Sequence, residues 1–261
     1  MSGTILSAVD ASMATLTFHN PERRNALSLR MWQDAATTLD AFAADDAVRV
    51  VVLTGSGTTS FASGADISEF EALRSDAQGT VAYSAAVDRF WKTLADYAKP
   101  TIAMIRGYCI GGGLNIAACC DLRVCGAGSR FAVPAARLGI GYGAAPLGRL
   151  MALVGPQFAL EVLLTARQFS ADEAAAMGLV NRVVEDDAVE GQVREMAAAI
   201  ARNAPLTVRA ARRIVHELLK EPGSRDMAAC EALVAQCFDS DDYREGRRAF
   251  LEKRTPVFHG R

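Results

Sequence analysis

Twice in this sequence a mainly apolar run ends in a turn of small residues and opens into a helix. The first is "VRVVVLTG" (48–55), followed by "SGTTSFASGADISEF". The second is "PTIAMIRGYC" (100–109), followed by "IGGGLNIAACC" (110–120). A run of this kind, unbroken rather than alternating, is read as a strand buried on both faces. Helices must then cover both faces, which predicts an α/β layer structure. The small residues have a second consequence. The first turn of a helix leaves N–H groups unpaired and carries partial positive charge. Glycine or alanine there lets another molecule come close to the backbone. Two such donors aimed at one point make an oxyanion hole, and Ala65 and Gly112 are the natural pair. Close helix–strand packing is the other reading of the same glycines. Neither the phosphate-loop ending GxxxxGK[ST] nor the dinucleotide spacing GxGxxG is present.

The rest of the chain continues the alternation. "MATLTF" (13–18) has the period of a strand. After the polar turn "NPERRNALS" (20–28), Leu29, Trp32, Ala36, Leu39 and Phe42 fall on one face of a helix running from Ser28 to Asp45. A long helix is predicted over 80–98, one strand over 100–109, and a helix from the glycines to about Cys120. Short strands and turns follow over 122–140, then helices in "AAPLGRLMALVG" and "QFALEVLLT". "SADEAAAMG" (170–178) carries a capping box, Ser170 with Glu173, and a glycine stop. "LVNRVV" reads as a short strand, and the chain beyond 186 as almost entirely helical. Residues 1–200 are taken as the core and 201–261 as a helical appendage.

A length of 261 residues, 51% of them apolar, supplies one large core. The net charge of -2 gives no basic excess for a nucleic acid or an anionic membrane. Arg212 and Arg213 read as a solvated helix face. No signal peptide and no membrane span are expected, so a cytoplasmic protein is. The six cysteines, Cys109, Cys119, Cys120, Cys125, Cys230 and Cys237, match no metal-site spacing and are read as buried, reduced thiols. Three histidines supply neither a zinc site nor a Ser-His-Asp triad. No metal is expected.

In their order and spacing these segments resemble the enoyl-CoA hydratase/isomerase (crotonase) superfamily. "NPERRNALS" is similar to its first coenzyme A segment, and "FASGADISEF" and "IRGYCIGGGLNIAACCDLRVC" to its two oxyanion loops. "FAVPAARLGIGYGAAPLGRLMALVG" (131–155) is similar to its acyl-pocket segment. "LLTARQFSADEAAAMGLVNRVV" and "CFDSDDYREGRRAFLEKRTPVF" also match. The resemblance implies a spiral of β-β-α units and a C-terminal helical region used for a trimer or a dimer of trimers. It implies an acyl-CoA thioester as substrate, with coenzyme A part of that substrate and no separate cofactor. The thioester oxygen would sit between the Ala65 and Gly112 amides, beside Gly111, and take up charge as an enolate forms. Ala62, Ala65, Asp66 and Ile67 would lie near the adenine, and Arg24 near the phosphates. Phe250 and Lys253 would complete the site from a neighbouring subunit. For the charged residues a solvated surface role stands as the alternative, and for Asp66 a helix cap.

Hydratases of this superfamily carry two glutamates that hold and activate water. Here those positions are Asn115, three residues after Gly112, and Ala135, after the proline of "VPAARLG". Asn115 cannot ionise, although its amide can hold a water, and Ala135 has no polar group. A general acid or base contributes about 10²–10⁴-fold, so efficient water addition needs a substitute. Tyr142 stands where members resembling methylmalonyl-CoA decarboxylase carry a tyrosine, although their histidine and glutamate are replaced here by Ala65 and Asn115. Loss of CO₂ makes a thioester enolate without a base. Tyr142 would orient the departing carboxylate, and Arg137 would neutralise it if it faces inward; otherwise Tyr142 lines the pocket. Isomerisation is a further reading if Asp66, Glu69 or Glu71 reaches the acyl chain. A hydratase with a substituted base, and an acyl-CoA-binding protein without turnover, stand as alternatives.

Overall fold

The protein, in a computed structural model, is described over residues 3–69 and 77–261. The chain opens with an antiparallel hairpin of β1 (Thr4–Asp10) and β2 (Met13–His19). No strand was expected at β1. It lies at the edge of its sheet, largely exposed, so its residues show no burial pattern. Helix α1 (Leu29–Ala44) begins where the Ser28 Oγ accepts the Met31 N–H at 3.3 Å, and it buries Trp32, Ala36, Leu39 and Phe42.

Three β-β-α turns follow. Strands β3 (Val50–Gly55), β5 (Thr101–Ile105) and β7 (Leu122–Gly126) run parallel in the larger sheet. Each is followed by a short strand, β4 (Ser60–Ala62), β6 (Tyr108–Ile110) or β8 (Arg130–Ala132), in a second sheet. Helices α2 (Ala77–Ala95), α3 (Gly112–Cys119) and α4 (Ala144–Thr165) close the three turns. Then come β9 (Phe169–Ser170), α5 (Ala171–Ala176), β10 (Arg182–Val184) and four helices: α6 (Val189–Ala201), α7 (Pro205–Leu218), α8 (Met227–Asp239) and α9 (Asp241–Glu252). The sheets read β1-β2-β3-β5-β7-β10 and β4-β6-β8-β9. This is the α/β spiral expected from the sequence.

The central strands are buried on both faces. Val51, Leu53, Ala103, Ile105 and Cys125 join the main core, whereas Val50, Val52, Ile102, Met104 and Val124 pack under Val189, Val193 and Ala197 of α6. The run 100–109 is two strands rather than one. Gly107 turns the corner between the sheets with φ +62°, and a Cβ there would stand 1.9 Å from the Thr59 carbonyl oxygen. Ser170 and Glu173 form the capping box that starts α5.

Two further expectations are corrected. Arg212 is not a solvated group: its Nε donates to both Asp121 oxygens at 2.8 and 2.9 Å, and a second nitrogen donates to the Tyr97 carbonyl. His216 Nε2 lies 3.3 Å from the same carboxylate, so α7 docks on its own chain. Cys237 is only partly buried, unlike the other five thiols, all of them free. Among the described residues, α4 is long and apolar enough, by length and composition, to cross a membrane. It is broken at Gly155 (φ +74°) before Pro156, and it carries Arg149 and Glu161.

Candidate active site

The two glycine segments meet at the ends of β4 and β6. Beyond β4 the Leu27 N–H donates to the Gly64 carbonyl at 2.8 Å, and the Asp66 N–H donates to the Leu27 carbonyl at 2.9 Å. This parallel bridge uses the groups on either side of Ala65 and leaves the Ala65 N–H without a partner among the described residues. Gly111 (φ +56°) donates its N–H to the Ala132 carbonyl at 2.8 Å, and Gly112 then begins α3 with its own N–H unpaired. The two free amides are close together. A Cβ on Gly64 (φ +92°) would stand 2.8 Å from the Gly112 nitrogen, and a Cβ on Gly112 would stand 3.7 Å from the Ala65 nitrogen. Gly113 has the other role: a Cβ there would lie 2.0 Å from the Ala62 carbonyl oxygen. The glycines therefore serve both access and close packing, at different positions.

The carboxylates of the first loop are occupied. Asp66 accepts the Ser68 N–H at 3.1 Å and hydroxyl at 2.7 Å, and Arg23 Nη1 donates to both its oxygens at 3.0 and 2.9 Å. Burial opposes ionisation, but the Ser68 and Arg23 donors hold this carboxyl below its usual range. Glu69 accepts the Leu29 N–H at 2.8 Å, at the start of α1. Both act as local caps. Glu71 lies outside the described residues.

Asn115 faces inward from α3, only 7% exposed, and its Oδ1 has no hydrogen-bond partner. Its amide approaches the buried Tyr142 hydroxyl, although neither Oδ1 nor Oη makes a hydrogen bond of full geometry. Burial pushes the Tyr142 hydroxyl up to about 12, against the opposing pull of the Asn115 amide and the Arg149 charge. Ala135 packs against the core in the 3₁₀ turn Pro134–Leu138, while Arg137 in the same turn is exposed and does not face inward. Sequence reasoning missed Arg149. This residue on α4 lies near Cys119 and Tyr142, has a buried, unpartnered Nε, and sets its guanidinium carbon 5.7 Å from the Trp91 ring centroid. The available signal was a lone cation in the apolar stretch "PLGRLMALVG".

A family model, enoyl-CoA hydratase/isomerase, matches residues 8–261. The chain belongs to the enoyl-CoA hydratase/isomerase family. It is 33% identical over 254 residues to a crotonyl-CoA hydratase of Syntrophomonas wolfei subsp. wolfei, covering 97% of each chain. It is 33% identical over 246 residues to a 2,3-dehydroadipyl-CoA hydratase of Escherichia coli, covering 94% of each. The crystal structure of an enoyl-CoA hydratase/carnithine racemase from Magnetospirillum magneticum superposes with a TM-score of 0.91 at 38% identity, over 100% of this chain and 97% of that one.

Within this family frame, the remaining expected coenzyme A residues are placed unevenly. Ile67 is exposed beside the first loop, while Ala62 is fully buried beneath Gly113 and offers no side-chain surface. Arg24 is exposed and lies 4.8 Å from the Tyr108 ring centroid. Phe250 is 84% exposed on α9, and Lys253 is the left-handed residue that ends that helix. Both belong to the C-terminal helices.

Proposed function

We propose that this family member binds an acyl-CoA thioester and works through a thioester enolate, with the Ala65 and Gly112 amides as the oxyanion hole. One observation carries the reading: two neighbouring backbone donors are left unpaired where the two loops meet. Such donors favour the state in which the carbonyl oxygen becomes negative, and removal of one costs about 10²–10³-fold in rate. No free carboxylate accompanies them at position 115 or 135, and Asp66 and Glu69 are held by local bonds. The chemistry that needs least from side chains is loss of CO₂. The bond between the α-carbon and the carboxylate breaks, and its electron pair enters the thioester. The oxygen takes the charge, CO₂ leaves, and the α-carbon then takes a proton from water.

The test is turnover of malonyl-CoA and methylmalonyl-CoA, followed as CO₂ release, beside hydration of crotonyl-CoA, followed at the enoyl absorbance. The expected result is CO₂ release, greatly reduced in Tyr142→Phe, with hydration slow or absent. Fast crotonyl-CoA hydration would overturn it. The names of the relatives favour that second reading, in which Asn115 holds the water and another group is the base. The C-terminal helices are read as an assembly region. Phe238, Phe250 and Leu251 expose large apolar surfaces there, around an open cavity of about 910 Å³. A trimer or dimer of trimers would cover them.

A further inference from the structure

Two polar groups approach Tyr142: the amide of Asn115 and the charge of Arg149. Asn115 stands on α3, one turn beyond the Gly112 amide. Tyr142 stands just before α4, and Arg149 stands in its second turn. The buried Asn115 Oδ1, Tyr142 Oη and Arg149 Nε make no hydrogen bond of full geometry, and the one approach among them is that of the Asn115 amide to the phenol. Buried polar groups are normally paired, because leaving one unpaired costs about 1–3 kcal/mol. The two donors among them, Tyr142 Oη and Arg149 Nε, mark a place completed by an acceptor that arrives. The charge decides what arrives. Arg149 forms no ion pair with any described carboxylate, and its neighbours are an indole ring, a thiol and a phenol. The Tyr142 hydroxyl stays protonated, so it donates rather than adding negative charge.

We infer that Arg149, with Tyr142 and Asn115, forms a recognition site for a carboxylate on the acyl chain, so that the substrates are acyl-CoA thioesters carrying a free carboxylate. The guanidinium supplies the charge and forked donors, and the phenol supplies a neutral donor; Asn115 contributes through its Nδ2 donor, its Oδ1 being an acceptor that a carboxylate does not satisfy. The α3 helix fixes the span between this site and the thioester oxygen, since Gly112 and Asn115 are three residues apart. Arg137 does not share the role, being exposed. The inference rests on the acyl-CoA reading above but not on which reaction follows.

The test compares ligands matched in length that cannot lose CO₂ through an enolate: succinyl-CoA against butyryl-CoA, and glutaryl-CoA against valeryl-CoA. The readout is built in. The chain has two tryptophans, Trp32 and Trp91, with ring centroids 5.8 Å apart, and Arg149 faces Trp91. Titration of the full-length protein by intrinsic fluorescence and calorimetry should show one of the carboxylated ligands bound about ten- to a hundred-fold more tightly than its uncharged match. In Arg149→Gln that preference should vanish while the uncharged ligand still binds, which also shows that the variant is folded. Arg149→Lys should keep part of the preference. Equal binding of each matched pair, or a preference that survives Arg149→Gln, would overturn the inference. A carboxylate preference without CO₂ release from malonyl-CoA would defeat the proposed reaction alone.

Discussion

Two arginines that follow helix α3 in sequence, the buried Arg123 and the half-buried Arg149, behave as opposites. Arg123 on β7 is 4% exposed, and its donors are bonded to main-chain oxygens: Leu179 at 2.8 Å, Ala117 at 3.3 Å, Cys120 at 2.5 Å and Asp121 at 3.4 Å. Beside it, Asp121 takes Arg212, His216 and both donors of Thr101. Apart from one buried Arg212 nitrogen, the polar groups of this region are satisfied. It ties the end of α3, the larger sheet and α7 into one body. Arg149 lies against a ring and leaves Nε unbonded, near a phenol whose one hydrogen-bonding neighbour is the Asn115 amide. The comparison teaches that the bonds a cation makes separate structure from function. The satisfied cation holds the fold, and the unsatisfied one waits for a ligand.

The largest expected effect is on the satisfied side. Arg123→Met removes the donor from several buried carbonyls, at about 1–3 kcal/mol for each that finds no substitute. Urea unfolding should show a loss of about 3 kcal/mol or more, and a loss near zero would break the contrast. Gly64→Ala attacks the open side. Its Cβ would stand 2.8 Å from the Gly112 nitrogen, on a residue with φ +92°. Turnover of whichever acyl-CoA the protein accepts should fall about 10²–10³-fold, as for loss of one oxyanion donor. Steady-state kinetics should place the loss mainly in kcat.

Acid unfolding sharpens the contrast further. Burial works against the Asp121 charge, but bonds from His216 and Arg212 prevail and hold its carboxyl below the usual range. The folded state then binds fewer protons than the unfolded chain, whose aspartates titrate near 3.9. Asp121 therefore adds stability that is fully present above about pH 4 and is lost as pH falls through its lower folded value. Unfolding midpoints measured from pH 6 downward should show a shallower acid loss in Asp121→Asn than in the parent. Arg149→Met should have the smallest effect, within about 0.5 kcal/mol or slightly stabilising, since an apolar group replaces a poorly paired cation. A loss comparable with that of Arg123→Met would assign Arg149 to the fold instead.

Much of this architecture was legible because local rules and tertiary burial agree. Leu29 to Phe42 carry a helical period and face the core, and Ser170 and Glu173 form the cap their spacing announces. The glycine run at 111–113 named the second donor loop, because access and packing both demand small residues there. What was hidden depended on contacts distant in sequence. Nothing near Gly107 reveals that the chain must clear the Thr59 carbonyl and change sheets. Arg212 looks like a surface cation until Asp121, 91 residues earlier, is placed beside it. Arg149 sits in a helix whose neighbours suggest only packing, and its role emerges once Tyr142 and Asn115 stand next to it.

The most direct measurement is the infrared difference spectrum of butyryl-CoA labelled with ¹³C at the thioester carbonyl, free and bound. If the Ala65 and Gly112 amides grip that oxygen, the bound carbonyl stretch moves to lower frequency in the parent, and Gly64→Ala returns it toward the free value. A bound thioester whose stretch is unshifted in the parent would contradict the oxyanion hole and the enolate chemistry built on it.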